Sequence, residues 1–264
     1  MMVSGDNFIA EGSWVLLVLD RGRRWVVRVE RGRRFVCDKG YVDLDSLIGL
    51  QYGSAVRLSS GVDAYVYRPT LIDFIDKVFI RKSQIIYPKD ASYIVANLGL
   101  RSGMKVLEVG LGSGAMTTYL VNAIYPGGVV YSYEVRRDMI EIASRNLAVV
   151  GFLDYVVIRN KDASQGIDES GFDAAFIDVG DPWRVADHVY DSLKPGSIAG
   201  FFMPTFNQVD RLATYLRSHG GWGDVRVVEL FERGYEVREN ALRPSTRMVG
   251  HTGFIMFARK RLRE

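Results

Sequence analysis

Apolar runs of two kinds alternate through the second half of this chain. Short ones such as KVLEVG, GVVYSYE, YVVIRN, DAAFIDV and SIAGFFM read as strands; longer ones such as AMTTYLVNAIY, RDMIEIASRNLAVV, WRVADHVYDSL and NQVDRLATYLRSHG have helical spacing. Alternation of this kind builds βαβ units, which place their strands in a parallel sheet with helices on both faces. The late strands VRVVELFERGYEVR and GFIMFARK predict an antiparallel pair near the C-terminus. The expected class is α/β, a doubly wound Rossmann-like sheet that is mostly parallel with a C-terminal antiparallel strand.

The first part of the chain reads differently. From Trp14 to Val42 the text WVLLVLD-RG-RRWVVRVE-RG-RRFVCDKGYV has short apolar strands broken at Asp-Arg-Gly and Glu-Arg-Gly, which predicts an antiparallel meander. Composition shifts at RPTLIDFIDKVFIRKSQIIYPKD, between about residues 70 and 85. The expected division is a small N-terminal β domain over 1–75 and a catalytic domain over 76–264, sizes that can bury cores without staples. Cys37 is the single cysteine, so no intramolecular disulfide can form and a reducing compartment is favoured. The N-terminus has no signal-like leader and WVLLVL is too short to span a bilayer, which points to a soluble, cytoplasmic protein. With one cysteine and His188, His219 and His251 far apart, no metal site is expected. The net charge of +3 hides a cluster of arginines in RGRRWVVRVERGRRFV, which permits a polyanionic partner or simply a solvated strand face.

In KVLEVGLGSGAM a strand runs through Glu108 into Gly110, Gly112 and Gly114 and then into a helix, so backbone can approach a ligand beyond the strand end. The spacing is GxGxG, which argues against a dinucleotide site and hence against a dehydrogenase. Glu134 ends the next strand, where an acid can accept both hydroxyls of a ribose. Asp162 follows the third strand, where a carboxylate can receive an adenine amino group. Each acid alone fits a solvated strand end or a helix cap; acids at successive strand ends on one sheet edge point together to a cofactor site.

The segment EVGLGSG resembles the glycine loop of the class I S-adenosylmethionine-dependent methyltransferases, a likeness covering about residues 85–260. It implies that Gly110, Gly112 and the turn Ser113, Gly114, Ala115 and Met116 wrap the methionine part of S-adenosylmethionine. It also implies that Glu134 holds the ribose, that Asp162 contacts adenine and that Asp178 borders the cofactor. Met139 would pack against the nucleoside or form ordinary helix core. IIYPKDASYIV, DVGDPW and RPSTRMVGHTGFIMFARK, in that order, closely resemble the tRNA 1-methyladenosine methyltransferase family of the archaeal and bacterial TrmI type. That resemblance implies methylation of N1 of an adenine in the tRNA T-loop, at position 58 and possibly 57, with Asp178 catalytic and Tyr87 and His251 lining the acceptor pocket. It also implies a small N-terminal β domain and a homotetramer.

The chemistry gives these residues work. Adenine N1 has a lone pair and needs no deprotonation, but the product ring gains a positive charge that a strand-end carboxylate at Asp178 can stabilise. Tyr87 would stack on the extruded base or pack in the wall, and His251 would position substrate or phosphate or be structural. Extrusion costs a few kcal/mol of unstacking, to be met by phosphate contacts. The candidate donors are Arg21, Arg23, Arg24, Arg31, Arg33, Arg34, Arg243 and Arg247. The other readings are a protein isoaspartyl carboxyl methyltransferase, against which GHTGF and DVGDPW speak, and a non-catalytic tRNA-binding subunit, which would be expected to lose the glycine loop and Asp178.

Overall fold

The computed structural model describes residues 7–20, 22–82, 84–237 and 240–262. The chain divides into two compact units, Met1–Ile80 and Arg81–Glu264.

In the first unit β1 (Trp14–Val18), β2 (Arg24–Arg28), β3 (Arg34–Cys37), β4 (Gly40–Asp43), β5 (Ala55–Arg57) and β6 (Asp63–Tyr67) precede α1 (Leu71–Lys77). The expected meander is only half present. β1 pairs antiparallel with β2, but the other neighbour of β1 is β6, giving the order β2-β1-β6-β5. β3 pairs with β4 in a separate hairpin. The reason lies at Glu30–Arg33, where a tight turn with Gly32 at φ 70° redirects the chain instead of folding it back on β2. Val15, Leu17, Val29, Leu47, Ala64 and Val66 close a small core.

The second unit carries α2 (Pro88–Asn97), β7 (Lys105–Val109), α3 (Ala115–Ile124), β8 (Val129–Tyr133), α4 (Arg137–Val149), β9 (Val156–Arg159) and β10 (Phe172–Ile177). It continues with α5 (Ala186–Ser192), β11 (Leu193–Met203), α6 (Phe206–His219), β12 (Trp222–Glu229), β13 (Tyr235–Glu236), β14 (Arg243–Pro244) and β15 (Phe254–Lys260). Seven strands form one sheet in the order β12-β15-β11-β10-β7-β8-β9, in which β7 to β11 are parallel and β15 is antiparallel to both β11 and β12. The expected late antiparallel pair is present, over a shorter first strand. Residues 225–229 lie in β12, which pairs with β15, while Tyr235 and Glu236 pair with Arg243 and Pro244 in a two-stranded ribbon of their own.

β7 and β10 are buried on both faces, as central parallel strands between helix layers must be. From β7 the chain winds outward through β8 and β9, then returns to the other side of β7 as β10. Strand order therefore reverses between β7 and β10, the place where open α/β sheets gather their ligands. Phe172, Phe176, Phe201 and Phe257, all fully buried or nearly so, fill the layers beside that point.

Candidate active site

The sequence puts chemistry at the carboxyl ends of β7, β8, β9 and β10, and parallel pairing brings those ends to one edge. Asp178 N–H donates to Val109 O at 2.8 Å, Gly110 N–H to Tyr133 O at 2.9 Å, and Glu134 N–H to Arg159 O at 3.0 Å. Each strand thus locks the first residue beyond its neighbour, and the loop residues stand in register.

Two clefts open there. One, of about 390 Å³, is lined by Glu134, Asp162, Asp178, Lys161, Arg184 and their neighbours. The other, of about 590 Å³, is lined by Ile86, Tyr87, Phe202, Pro204, His251 and Thr252 among others. They share Gly110, Glu134, Arg136 and Asp178, so they are two arms of one site with Asp178 at the junction.

Gly110 has φ 99°, and a Cβ there would lie 2.2 Å from the Asp178 carbonyl oxygen. Only glycine lets the loop cross the switch point this closely. Gly114, at φ 79°, caps α3, where a Cβ would press on Ala143 and Leu147. Gly112 N–H and Arg136 N–H donate to the two Glu134 carboxylate oxygens at 3.1 and 2.9 Å, which fixes the acid against the glycine loop. One Asp162 oxygen accepts from Ser164 N–H at 2.8 Å, so this residue caps a short 3-10 turn while lining the cleft, and those bonds hold its carboxyl below the usual range.

The electrostatics are those of an acidic floor. Glu108 is fully buried and receives the Ser132 hydroxyl at 2.5 Å and the Thr117 hydroxyl at 2.9 Å. Burial pushes it up to about 8 against those hydrogen bonds, with the charges of Asp178 and Glu134 adding to the rise. Asp178 is exposed to the cleft, yet desolvation by the surrounding walls, then the charge of Glu134, lifts it to about 6. It is therefore ionised at neutral pH. Such a floor fits a cationic ligand with a diol, and the glycine crossing leaves it room, so the residues present fit S-adenosylmethionine.

Other expected residues are placed differently. Met139 is fully buried within α4, Met116 and Ala115 are buried in the first turn of α3, and none of the three lines either cleft. Ser113 is buried, and its carbonyl accepts from Asn146 Nδ2 at 2.9 Å. Tyr87, 38% exposed, is the N-cap of α2, held there because Pro88 starts the helix. His251 has both ring nitrogens engaged, Nδ1 with Glu229 Oε1 at 2.6 Å and Nε2 with the Pro204 carbonyl at 2.8 Å. Two acceptors favour an N–H on each ring nitrogen, and the hydrogen bonds to Glu229 and to the Pro204 carbonyl raise its pKa from the ordinary histidine value.

The arginines are largely engaged with carboxylates. Arg23 pairs with Asp20 and Asp38, Arg24 with Asp73, Arg31 with Glu11, Arg33 with Glu30, Arg34 with Asp43, and Arg243 with Glu236. Arg21 lies outside the described residues. Arg136, Lys161, Arg184, Phe202 and Thr252 line the site without having been anticipated. Arg136 and Lys161 sit within two residues of Glu134 and Asp162, and that adjacency was the available signal.

The comparisons with known proteins agree with this geometry. A curated relative from Methanocaldococcus jannaschii, a tRNA (adenine(57)-N(1)/adenine(58)-N(1))-methyltransferase TrmI, is 32% identical over 94% of this chain and 95% of its own length. The crystal structure of the tRNA (m1A58) methyltransferase TrmI from Aquifex aeolicus superposes with a TM-score of 0.86 at 34% identity, covering 98% of this chain and all of that one. A Thermotoga maritima structure described as a SAM-dependent O-methyltransferase reaches 0.91 at 34% identity, covering 98% of this chain and 96% of that one. A TrmI-like N-terminal model matches residues 8–56, and the model of the tRNA methyltransferase complex GCD14 subunit matches residues 64–243. With the glycine crossing, the acidic strand ends and this match over most of its length, the chain belongs to the tRNA methyltransferase complex GCD14 subunit family.

Proposed function

We propose that this protein is an S-adenosylmethionine-dependent tRNA (adenine-N1)-methyltransferase that forms 1-methyladenosine in the T-loop at position 58; the M. jannaschii relative is named for both 57 and 58. The observation that carries the reading is Asp178 at the junction of the two clefts, anchored to β7 and beside Gly110.

S-adenosylmethionine, when bound, supplies an electrophilic methyl group on a positively charged sulfur. In this reading Gly110 and Gly112 meet it from the backbone, Glu134 accepts from the ribose and Asp162 from the adenine amino group. Asp178 accepts a hydrogen bond from the exocyclic amino group of the target adenine and stabilises the charge that develops on its ring. Tyr87 flanks the base, and His251 bounds the pocket. Alignment of the reacting atoms supplies much of the remaining rate. The unit around residues 1–75 and Arg247 contribute contacts to the RNA backbone.

The same reading makes the protein a cytoplasmic homotetramer. Support for self-association comes from exposed apolar side chains on and after the edge strand β12, including Val227, Phe231, Tyr235 and Leu242. Among the described residues no helix is long and apolar enough to cross a membrane.

The test is nucleoside mass spectrometry of an unmodified tRNA transcript incubated with S-adenosylmethionine and either the protein or its Asp178→Ala variant. The expected result is 1-methyladenosine in the T-loop fragment, reduced by about 10²–10³-fold in the variant. Cofactor binding without any methylated adenosine would overturn the acceptor assignment.

A further inference from the structure

The two walls of the Tyr87–His251 cleft come from distant parts of the sequence, and one buried polar cluster joins them. Asp90, in the first turn of α2, is completely buried. Its two carboxylate oxygens accept from Lys89 Nζ at 2.7 and 2.9 Å. The same Lys89 Nζ donates to Thr252 Oγ1 at 2.7 Å, and Thr252 Oγ1 donates to Asp90 Oδ2 at 2.7 Å. The three side chains close a triangle across 162 positions of sequence.

Its location gives it consequence. Tyr87 lies three residues before Asp90 and lines the cleft from one side; Thr252 and the adjacent His251 line it from the other. His251 is in turn tied to Glu229 at the end of β12 and to Pro204 beyond β11. Gly253 lies so close to Phe202, also a wall residue, that a Cβ there would sit 2.4 Å from the ring. The loop before β15 is thus pinned to β11 and β12, and the Lys89–Asp90–Thr252 triangle is the polar link that fixes the Tyr87 wall relative to it. A salt bridge buried to this degree is a poor source of stability, because desolvation offsets most of its attraction. It does impose geometry, since each of its groups is costly to leave unpaired.

We propose that Lys89, Asp90 and Thr252 form a clasp that sets the separation of Tyr87 from His251 and so positions the methyl-accepting base. Asp90 and Lys89 line neither cleft, which makes them positioning residues acting through Tyr87. The inference rests on the proposed adenine acceptor and deepens it. A displacement of about 1 Å in a reacting geometry can lower turnover by roughly 10²-fold.

The experiment measures S-adenosylmethionine binding by calorimetry and steady-state turnover on the tRNA transcript for the wild type, Asp90→Asn, Thr252→Val and Thr252→Ser. The expected result is a cofactor Kd within about twofold throughout and a kcat reduced by about 10- to 100-fold in Asp90→Asn and Thr252→Val. Thr252→Ser, which keeps the hydroxyl, restores most of it. Adding Tyr87→Ala to Asp90→Asn should cost little more than Tyr87→Ala alone, because both act through one wall. Full additivity, equal impairment of the serine and valine variants, or a parallel loss of cofactor affinity would each overturn the clasp. Failure of the acceptor reading would show instead in the wild type, which would leave the transcript's adenine unmodified. If Asp90→Asn does not fold, the valine and serine pair at the partly exposed Thr252 decides the question.

Discussion

Replacing Glu108 with glutamine isolates what the acidic floor does to the ligand-free protein. The carboxyl is fully buried, and desolvation raises it from 4.5 to about 8 despite the hydroxyls of Ser132 and Thr117. Below pH 4.5 both native and unfolded chains hold this proton. Between 4.5 and 8 the unfolded chain has released it while the native chain keeps it, so stability falls as pH rises through that window and levels off above it. At about 1.36 kcal/mol per pKa unit the whole fall is about 5 kcal/mol, of which about 3 kcal/mol lies between pH 5 and 7. Glutamine has nearly the same shape, still accepts the Ser132 hydroxyl, and cannot ionise. Urea unfolding of both ligand-free proteins at pH 5 and 7 should therefore show the wild type losing about 3 kcal/mol more than Glu108→Gln across the interval. All other titrating groups are common to the two proteins and cancel. Parallel pH profiles, with a difference below about 1 kcal/mol, would refute the reasoning, because they would mean that Glu108 is ionised in the native state like an ordinary carboxyl.

Three further outcomes follow from the same geometry. Gly110→Ala forces a Cβ to 2.2 Å from the Asp178 carbonyl at φ 99°, so it should cost about 1–3 kcal/mol in chemical denaturation and lower cofactor affinity at least tenfold by calorimetry; unchanged affinity would show that the loop does not meet the cofactor. Asp178 becomes anionic as pH rises through about 6, so the preference for S-adenosylmethionine over S-adenosylhomocysteine, which lacks the sulfonium charge, should widen from pH 5 to 7; a constant ratio by calorimetry would remove Asp178 from the charge balance. Reversing Arg31 and Arg33 to glutamate should weaken tRNA binding, reduce its log–log salt slope by about 2 and leave cofactor Kd unchanged in filter binding; an unaltered slope would take these residues off the RNA surface.

The parts of the fold that periodicity controls were legible from the text. Strand-to-helix alternation predicts the parallel core, and GxGxG, Glu134 and Asp178 predict the edge where ligands gather, because a parallel sheet brings successive strand ends together whatever their loops do. The N-terminal pairing was not legible in the same way. The meander ends because β3 turns away from β2 at Glu30–Arg33 and pairs with β4 instead, and an antiparallel strand takes its neighbour from turn geometry more than from its own apolar pattern. Charge was legible as density and not as pairing. The arginine cluster stands out in the sequence, whereas Arg24 reaching Asp73 and Arg34 reaching Asp43 depend on tertiary placement. The Asp90 clasp was hidden because Thr252 lies far along the chain, and an aspartate after Pro-Lys reads as an ordinary helix-start acid.

The placement of Asp178 at the junction explains how one carboxylate can serve a reaction that conserves charge. Methyl transfer to adenine N1 moves a single positive charge from sulfur to the purine ring, so the total charge inside the site is the same before and after. An acidic floor that favoured both ends equally would strengthen binding and leave the barrier alone. Rate is gained only if an anion lies nearer to where the charge arrives than to where it starts. Glu108 is sealed beneath the floor and Glu134 is tied to Gly112 and Arg136, whereas Asp178 faces both arms and receives no side-chain hydrogen bond among the described residues. Its carboxylate remains open to the incoming amino group. Asp178→Asn should consequently lower kcat on tRNA by about 10²-fold or more while changing cofactor Kd far less. Equal losses in both quantities would mean that the carboxylate stabilises the bound cofactor and the transition state alike.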